Sequence, residues 1–202
     1  MIPAALLLLY LIEFTVLAIN PYDRGVWFAE NLPILLIVIT LVGTYRRFRF
    51  SDCAYLLMSP LIFLHTYGGH YTFERVPFDW FTNLIGAERN HYDRLAHFTV
   101  GFYAFAIAEF IEQKQLSRSR WLTGFFAVFA IGTLALGYEI FEWRYAVHAN
   151  PAAGIAVLGS QGDIWDAQKD MLADTLGAIC ATLFYFIKPA ADAGRSSAEP
   201  PA

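Results

Sequence analysis

Six mostly apolar stretches, at about 2–19, 27–45, 53–70, 92–111, 121–142 and 167–187, account for most of the chain. A helix needs roughly 20 apolar residues to cross a bilayer. In that environment only a segment that satisfies its own backbone polar groups is stable. The pattern therefore predicts an all-α, polytopic membrane protein with about six transmembrane helices in one bundle. Composition agrees: 16% of residues are charged and mean hydropathy is +0.43, where a soluble domain carries about 25% charged residues. The net charge of −4, spread over loops and helices, points away from nucleic acid as a partner.

The N-terminal stretch "MIPAALLLLYLIEFTVLAIN" lacks a basic n-region and a small-x-small cleavage site, and it carries Glu13. It reads as a retained span rather than a signal peptide. Residues 1–188 form one transmembrane domain in this reading, and 189–202, small and polar, a disordered cytoplasmic tail. Arg46, Arg47 and Arg49 follow the second span, Lys114, Arg118 and Arg120 the fourth, and Lys188 and Arg195 the sixth. The positive-inside rule puts all three segments, and both termini, in the cytoplasm. In the outer loops, 76–88 carries Phe78, Trp80, Phe81, Leu84 and Ile85 on one face of a short interfacial helix. The Gly- and Ala-rich stretch 149–163 is either a re-entrant or lid segment or a linker. Cys53 and Cys180 have no partner spacing and read as ordinary apolar-helix residues.

Ionisable residues gather at the outer ends of the spans. Asp93, Arg94 and His97 begin the fourth, Glu139 and Glu142 end the fifth, and Asp163, Asp166, Asp170 and Asp174 lead into the sixth. At about 100° per residue the four aspartates fall within an arc of roughly 80°, if the helix starts that early. Asp93 and His97 are i, i+4, and Glu139 and Glu142 are i, i+3, so each pair shares a face. Three helices thus aim acids and an imidazole at one outward-opening pocket. A charge inside a span costs about 2.5–3.5 kcal/mol on the insertion scale. The excess of acid is relieved either by protonation or by a divalent cation, with Mg, Mn, Ca or Zn suited to carboxylates plus one imidazole. His65 and His70 read as satisfied interfacial histidines, and Tyr92, Tyr138, Trp143 and Trp165 as interfacial belt aromatics. No phosphate-binding loop or nucleophile elbow is present.

"YDRLAHFTVGF" (92–102), "YEIFEW" (138–143) and "GDIWDAQKDMLADTLGA" (162–178) resemble the signatures of the YjdF-like bacterial inner-membrane proteins, a family of unknown function. The likeness extends from about 30 to 188 and implies a multi-pass protein of the bacterial cytoplasmic membrane. A remoter similarity is to the VanZ-like membrane proteins. Asp93, Arg94 and His97 match their first element, Glu139 the second, and Asp170 and Gly177 the third. Glu142 stands where Gln is usual and Asp174 where Asn is usual, so no ligand carries over.

Three functions stay open. The first acts on a lipid-linked or envelope substrate. There Asp166, Asp170, Glu139, Glu142 and His97 hold the metal, and His97, Asp170, Glu139 and Arg94 carry the chemistry. Asp93, Arg94 and Asp174 bind substrate. The second takes up a cation, proton or polar headgroup without breaking a bond. The third is structural, its charges being salt bridges that lock helix ends.

Overall fold

The computed structural model describes residues 1–149 and 151–187, and among them every regular element is helical. The order is α1 (Ile2–Leu17), α2 (Arg24–Thr44), α3 (Asp52–Tyr71), α4 (Asp79–Ile85), α5 (Tyr92–Val100), α6 (Tyr103–Gln113), α7 (Arg120–His148), α8 (Pro151–Leu158) and α9 (Asp166–Ile187). The expected tail, 189–202, lies outside the described residues.

Among the described residues four helical units are long and apolar enough to cross a bilayer: Arg24–Thr44, Tyr92–Gln113, Arg120–His148 and Asp166–Ile187. The other two expected spans differ for separate reasons. α1 is apolar but has only 16 residues. α3 has 20 residues, but it buries His65, Thr66, Gly68 and Gly69 against its neighbours. An interior helix trades lipid-facing apolar residues for polar ones that its neighbours satisfy. α7 runs six residues past its expected end. Its 29 residues span about 44 Å at 1.5 Å each, beyond the roughly 30 Å hydrocarbon core.

Local chemistry sets the helix ends. Asp23 caps α2, accepting from the backbone N–H groups of Gly25 (2.8 Å) and Val26 (2.9 Å). Ser51 caps α3 and is itself gripped by Glu109 of α6, which accepts from its N–H (2.6 Å) and its hydroxyl (2.5 Å). Pro60 inside α3 cannot donate to the Leu56 carbonyl. Ser59 takes its place, its hydroxyl donating to that oxygen at 3.0 Å, which keeps the carbonyl satisfied within an apolar helix.

α9 packs against α5, α6 and α7, while α3 packs against α1, α2, α5 and α6. These contacts bury small and aromatic residues, including Ala104, Phe105, Ala108, Ile131 and Ala178. α4 is the short helix expected in 76–88, but its apolar residues divide between two faces. Phe78 and Phe81 join Phe73, Val76 and Tyr92 in a cluster, and Trp80, Leu84 and Ile85 are exposed. The 149–163 stretch contains α8, whose Ala153 and Val157 bury against Val26 of α2.

Candidate functional site

Two glycines bring α5 and α9 into contact. A Cβ on Gly101 would collide with the backbone of Gly177 and Ala178, and one on Gly177 with the Phe98 carbonyl. Only glycine lets the two backbones approach so closely. One turn above this contact His97 faces Asp174, its Nδ1 lying 3.3 Å from both carboxylate oxygens. The opposite ring nitrogen, Nε2, lies 3.6 Å from Asp93 Oδ1 and 3.9 Å from Asp170 Oδ1. Asp170 and Asp174 are 3% and 1% exposed, and His97 is 6% exposed. Within the expected stripe, Asp166, Asp170 and Asp174 lie on α9. Asp163 precedes the helix in a turn, its N–H donating to the Ser160 carbonyl at 2.8 Å.

Arginines occupy the outer end of this stripe. Arg94 donates to the Asp166 carboxylate (2.6 Å), to the Asp166 carbonyl (3.0 Å) and to Asp170. Arg89, from the loop before α5, donates to the same Asp166 carboxylate at 2.6 Å and to the Gly159 and Ser160 carbonyls at 3.3 Å. Asn90 and Gln161 complete the closure. The Asn90 N–H donates to the Gln161 side chain at 3.0 Å, and the Gln161 amide returns a bond to the Asn90 carbonyl at 2.9 Å. The expected outward-opening pocket is thus a covered cluster, because these two loops are sewn together over it. On the cover, the Lys169 ammonium donates to Asp163 at 2.6 Å and the Trp165 N–H at 3.0 Å. Those bonds hold the Asp163 carboxyl below the usual carboxylate range.

A second polar group adjoins the first. Glu30 of α2 accepts from the Tyr138 hydroxyl at 3.1 Å and lies 3.2 Å from His65 Nε2, close enough for an ion pair but without hydrogen-bond geometry. The Tyr138 ring packs edge-on to both imidazoles, 6.1 Å from His65 and 6.1 Å from His97. Glu142 is buried within electrostatic range of Glu30, Asp93 and His97. Glu139 interacts with His97, Asp93 and Asp174, and its Oε1 is buried without a hydrogen-bond partner.

Every expected site residue therefore falls at one end of the bundle, but their company differs from expectation. Asp93, His97 and Asp170 offer ligand atoms within 4.8 Å of one another. Asp166, expected beside the metal, sits instead between two arginines. Tyr92 and Tyr138 are not belt aromatics: Tyr92 is buried, its hydroxyl donating to the Leu64 carbonyl at 2.8 Å, and Tyr138 binds Glu30. His65 is interior rather than interfacial, and His70 Nδ1 lies 2.7 Å from the Leu17 carbonyl. Glu30 and Arg89 escaped the sequence reading. Glu30 had a signal, a carboxylate within the expected span 27–45. Arg89 had none, because its loop reaches the site only through tertiary folding.

The chain matches, over residues 2–190, the family described as "Predicted membrane protein (DUF2238)". It is 32% identical over 187 residues to a protein of Escherichia coli (strain K12) called "Inner membrane protein YjdF". That alignment covers 90% of this chain and 86% of the relative. No solved structure matches. The resemblance to YjdF-like proteins is thereby shown; the remoter likeness to VanZ-like proteins is carried by neither comparison.

Proposed function

The chain belongs to the DUF2238 family of predicted membrane proteins, and from that premise we propose that it holds a divalent cation on Asp93, His97 and Asp170. In this reading the cation serves chemistry on the polar head of a lipid-linked or envelope substrate. The supporting observation is the orientation of His97. Its Nδ1 faces the Asp174 carboxylate, which can accept the Nδ1 proton, so that in a metal-bound state the Nε2 lone pair would be directed toward Asp93 and Asp170. A carboxylate behind a ligating imidazole is the usual support of a metal site. The separations of 3.6 and 3.9 Å from Nε2 are too long for hydrogen bonds. They approach the spacing of about 3.4 Å between ligands of a tetrahedral cation at about 2.1 Å. Glu139, with its unpartnered oxygen and its electrostatic interaction with His97 and Asp93, is a candidate for a further ligand.

A bound cation would polarise a phosphoryl or carbonyl oxygen or activate water. Asp174 orients the imidazole, and Arg94 offsets the charge of Asp170. Following the positive-inside rule, the end bearing Arg46, Arg47, Lys114 and Arg118 is cytoplasmic, and the cluster lies in the extracytoplasmic half. One observation favours a second, non-catalytic reading: Asp166 and Asp170 are already paired with Arg89 and Arg94, as in a structural lock.

Elemental analysis of the purified protein separates the two. The metal reading expects about one equivalent of Mg, Mn, Ca or Zn, lost in Asp170→Asn and His97→Gln at unchanged membrane levels. Protein without metal, and without a thermal shift on adding any of the four, overturns it.

A further inference from the structure

At the end of the bundle remote from the acidic cluster, α1, α2 and α3 leave an apolar cleft of about 250 Å³, walled by Leu6, Leu41, Met58 and Ile62 among others. It reaches from Tyr45 at the end of α2 to Tyr10 near the middle of α1. Of its wall, Ser59 donates its hydroxyl to the Leu56 carbonyl, and apart from the hydroxyls of Tyr10, Tyr45 and Tyr55 the remaining lining side chains are hydrocarbon, aromatic or thioether.

The mouth has a different character. The segment between α2 and α3 carries Arg46, Arg47 and Arg49, all exposed. The Arg49 guanidinium lies 5.5 Å from the ring centroid of Tyr45, which itself lines the cleft. Arg49 reaches Asp52 only at 3.8 Å, with both side chains about half exposed, a pairing that solvent screens. Arg46 and Arg47 form no ion pair among the described residues. An apolar slot ending at Tyr45 beside Arg49, in a segment that carries three cations, is complementary to one chemistry: a hydrocarbon tail joined to an anionic head. A helix of another protein would fill the slot and leave the arginines unanswered. A zwitterionic lipid would answer them only in part.

We propose that this cleft binds one acyl chain of an anionic phospholipid, with its phosphate on Arg46, Arg47 and Arg49. Guanidinium forks suit phosphate oxygens, and basic clusters flanking a span attract anionic lipid. This site is independent of the metal reading, since it shares no residue with the acidic cluster.

Native mass spectrometry of the full chain in detergent, titrated with phosphatidylglycerol or phosphatidylcholine, tests it. Phosphatidylglycerol is expected to bind one-to-one, at least ten-fold tighter than phosphatidylcholine, and to raise the melting temperature. The triple variant Arg46→Gln, Arg47→Gln, Arg49→Gln should abolish that preference, and Ala4→Trp, which fills the cleft from α1, should remove the bound lipid altogether. Val42→Trp fills it from α2 and replaces Ala4→Trp if that variant does not fold. Equal binding of the two lipids, a preference that survives loss of the arginines, or a stable dimer with the cleft covered by a second copy overturns the proposal.

Discussion

His97 is enclosed by three carboxylates, Asp93, Asp170 and Asp174, and two of them answer to different partners. Asp170 accepts from Arg94, while Asp174 faces His97 alone among the described ionisable groups within bonding reach. The chain thereby tethers much of its buried charge through Arg94. Removing one member of a buried pair leaves its partner uncompensated, at about 3–5 kcal/mol. Arg94→Ala should therefore lower the melting temperature of the purified protein strongly. Arg94→Lys should recover only part of the loss, since an ammonium lacks the planar fork that spans Asp166 and Asp170. Asp163 sits outside the spans and supplies a pH signature. Its bonds to Lys169 and Trp165 hold its folded carboxyl below the ordinary value. The stabilisation is therefore present above the ordinary carboxylate value and lost as pH falls from that value through the lower folded one. Hydrogen exchange in 159–165 should quicken as pH is lowered through that range, after correction for the intrinsic rate, and Asp163→Asn should remove the dependence.

Between elements, the contact of α5 with α9 decides whether a site exists. Gly101 and Gly177 lie a turn below His97 and Asp174, so helix spacing and site geometry are one quantity. Gly177→Ala would drive a Cβ into the Phe98 carbonyl, and overpacking typically costs about 1–3 kcal/mol. The expected result is a lower melting temperature and, on the metal reading, loss of the proposed cation. Gly132 and Gly137 of α7 provide the contrast. Nothing lies within 4 Å of a Cβ at either, so Gly132→Ala and Gly137→Ala should be neutral or stabilising by up to about 1 kcal/mol from helix propensity. Sequence periodicity located α5, α7 and α9 and put their acids on shared faces. It extended the acidic stripe to Asp163, because a period of 3.6 carries no information on where the helix begins. The turn through Gly159, Gln161 and Gly162, all at positive φ, ends that possibility.

For the whole molecule, the polar cluster and the basic segments lie at opposite ends of one bundle. In a chain of cysteine-substituted variants with Cys53 and Cys180 replaced by Ser, an impermeant maleimide should label Asn83→Cys in intact cells and leave Leu116→Cys unlabelled until the membrane is opened. The reverse pattern would place the cluster on the cytoplasmic side and remove an envelope substrate from consideration.

The sequence alone settled the helical class, the membrane setting and the end of the bundle where the acids collect, because apolar length and helical period are local properties that any 20-residue window displays. It could not show that Arg89 and Arg94 share Asp166, that Glu30 joins His65 and Tyr138, or that two loops cover the cluster. Those pairings join residues as much as 108 positions apart. They depend on how closely the helices approach and turn toward one another, and only the packed bundle fixes that.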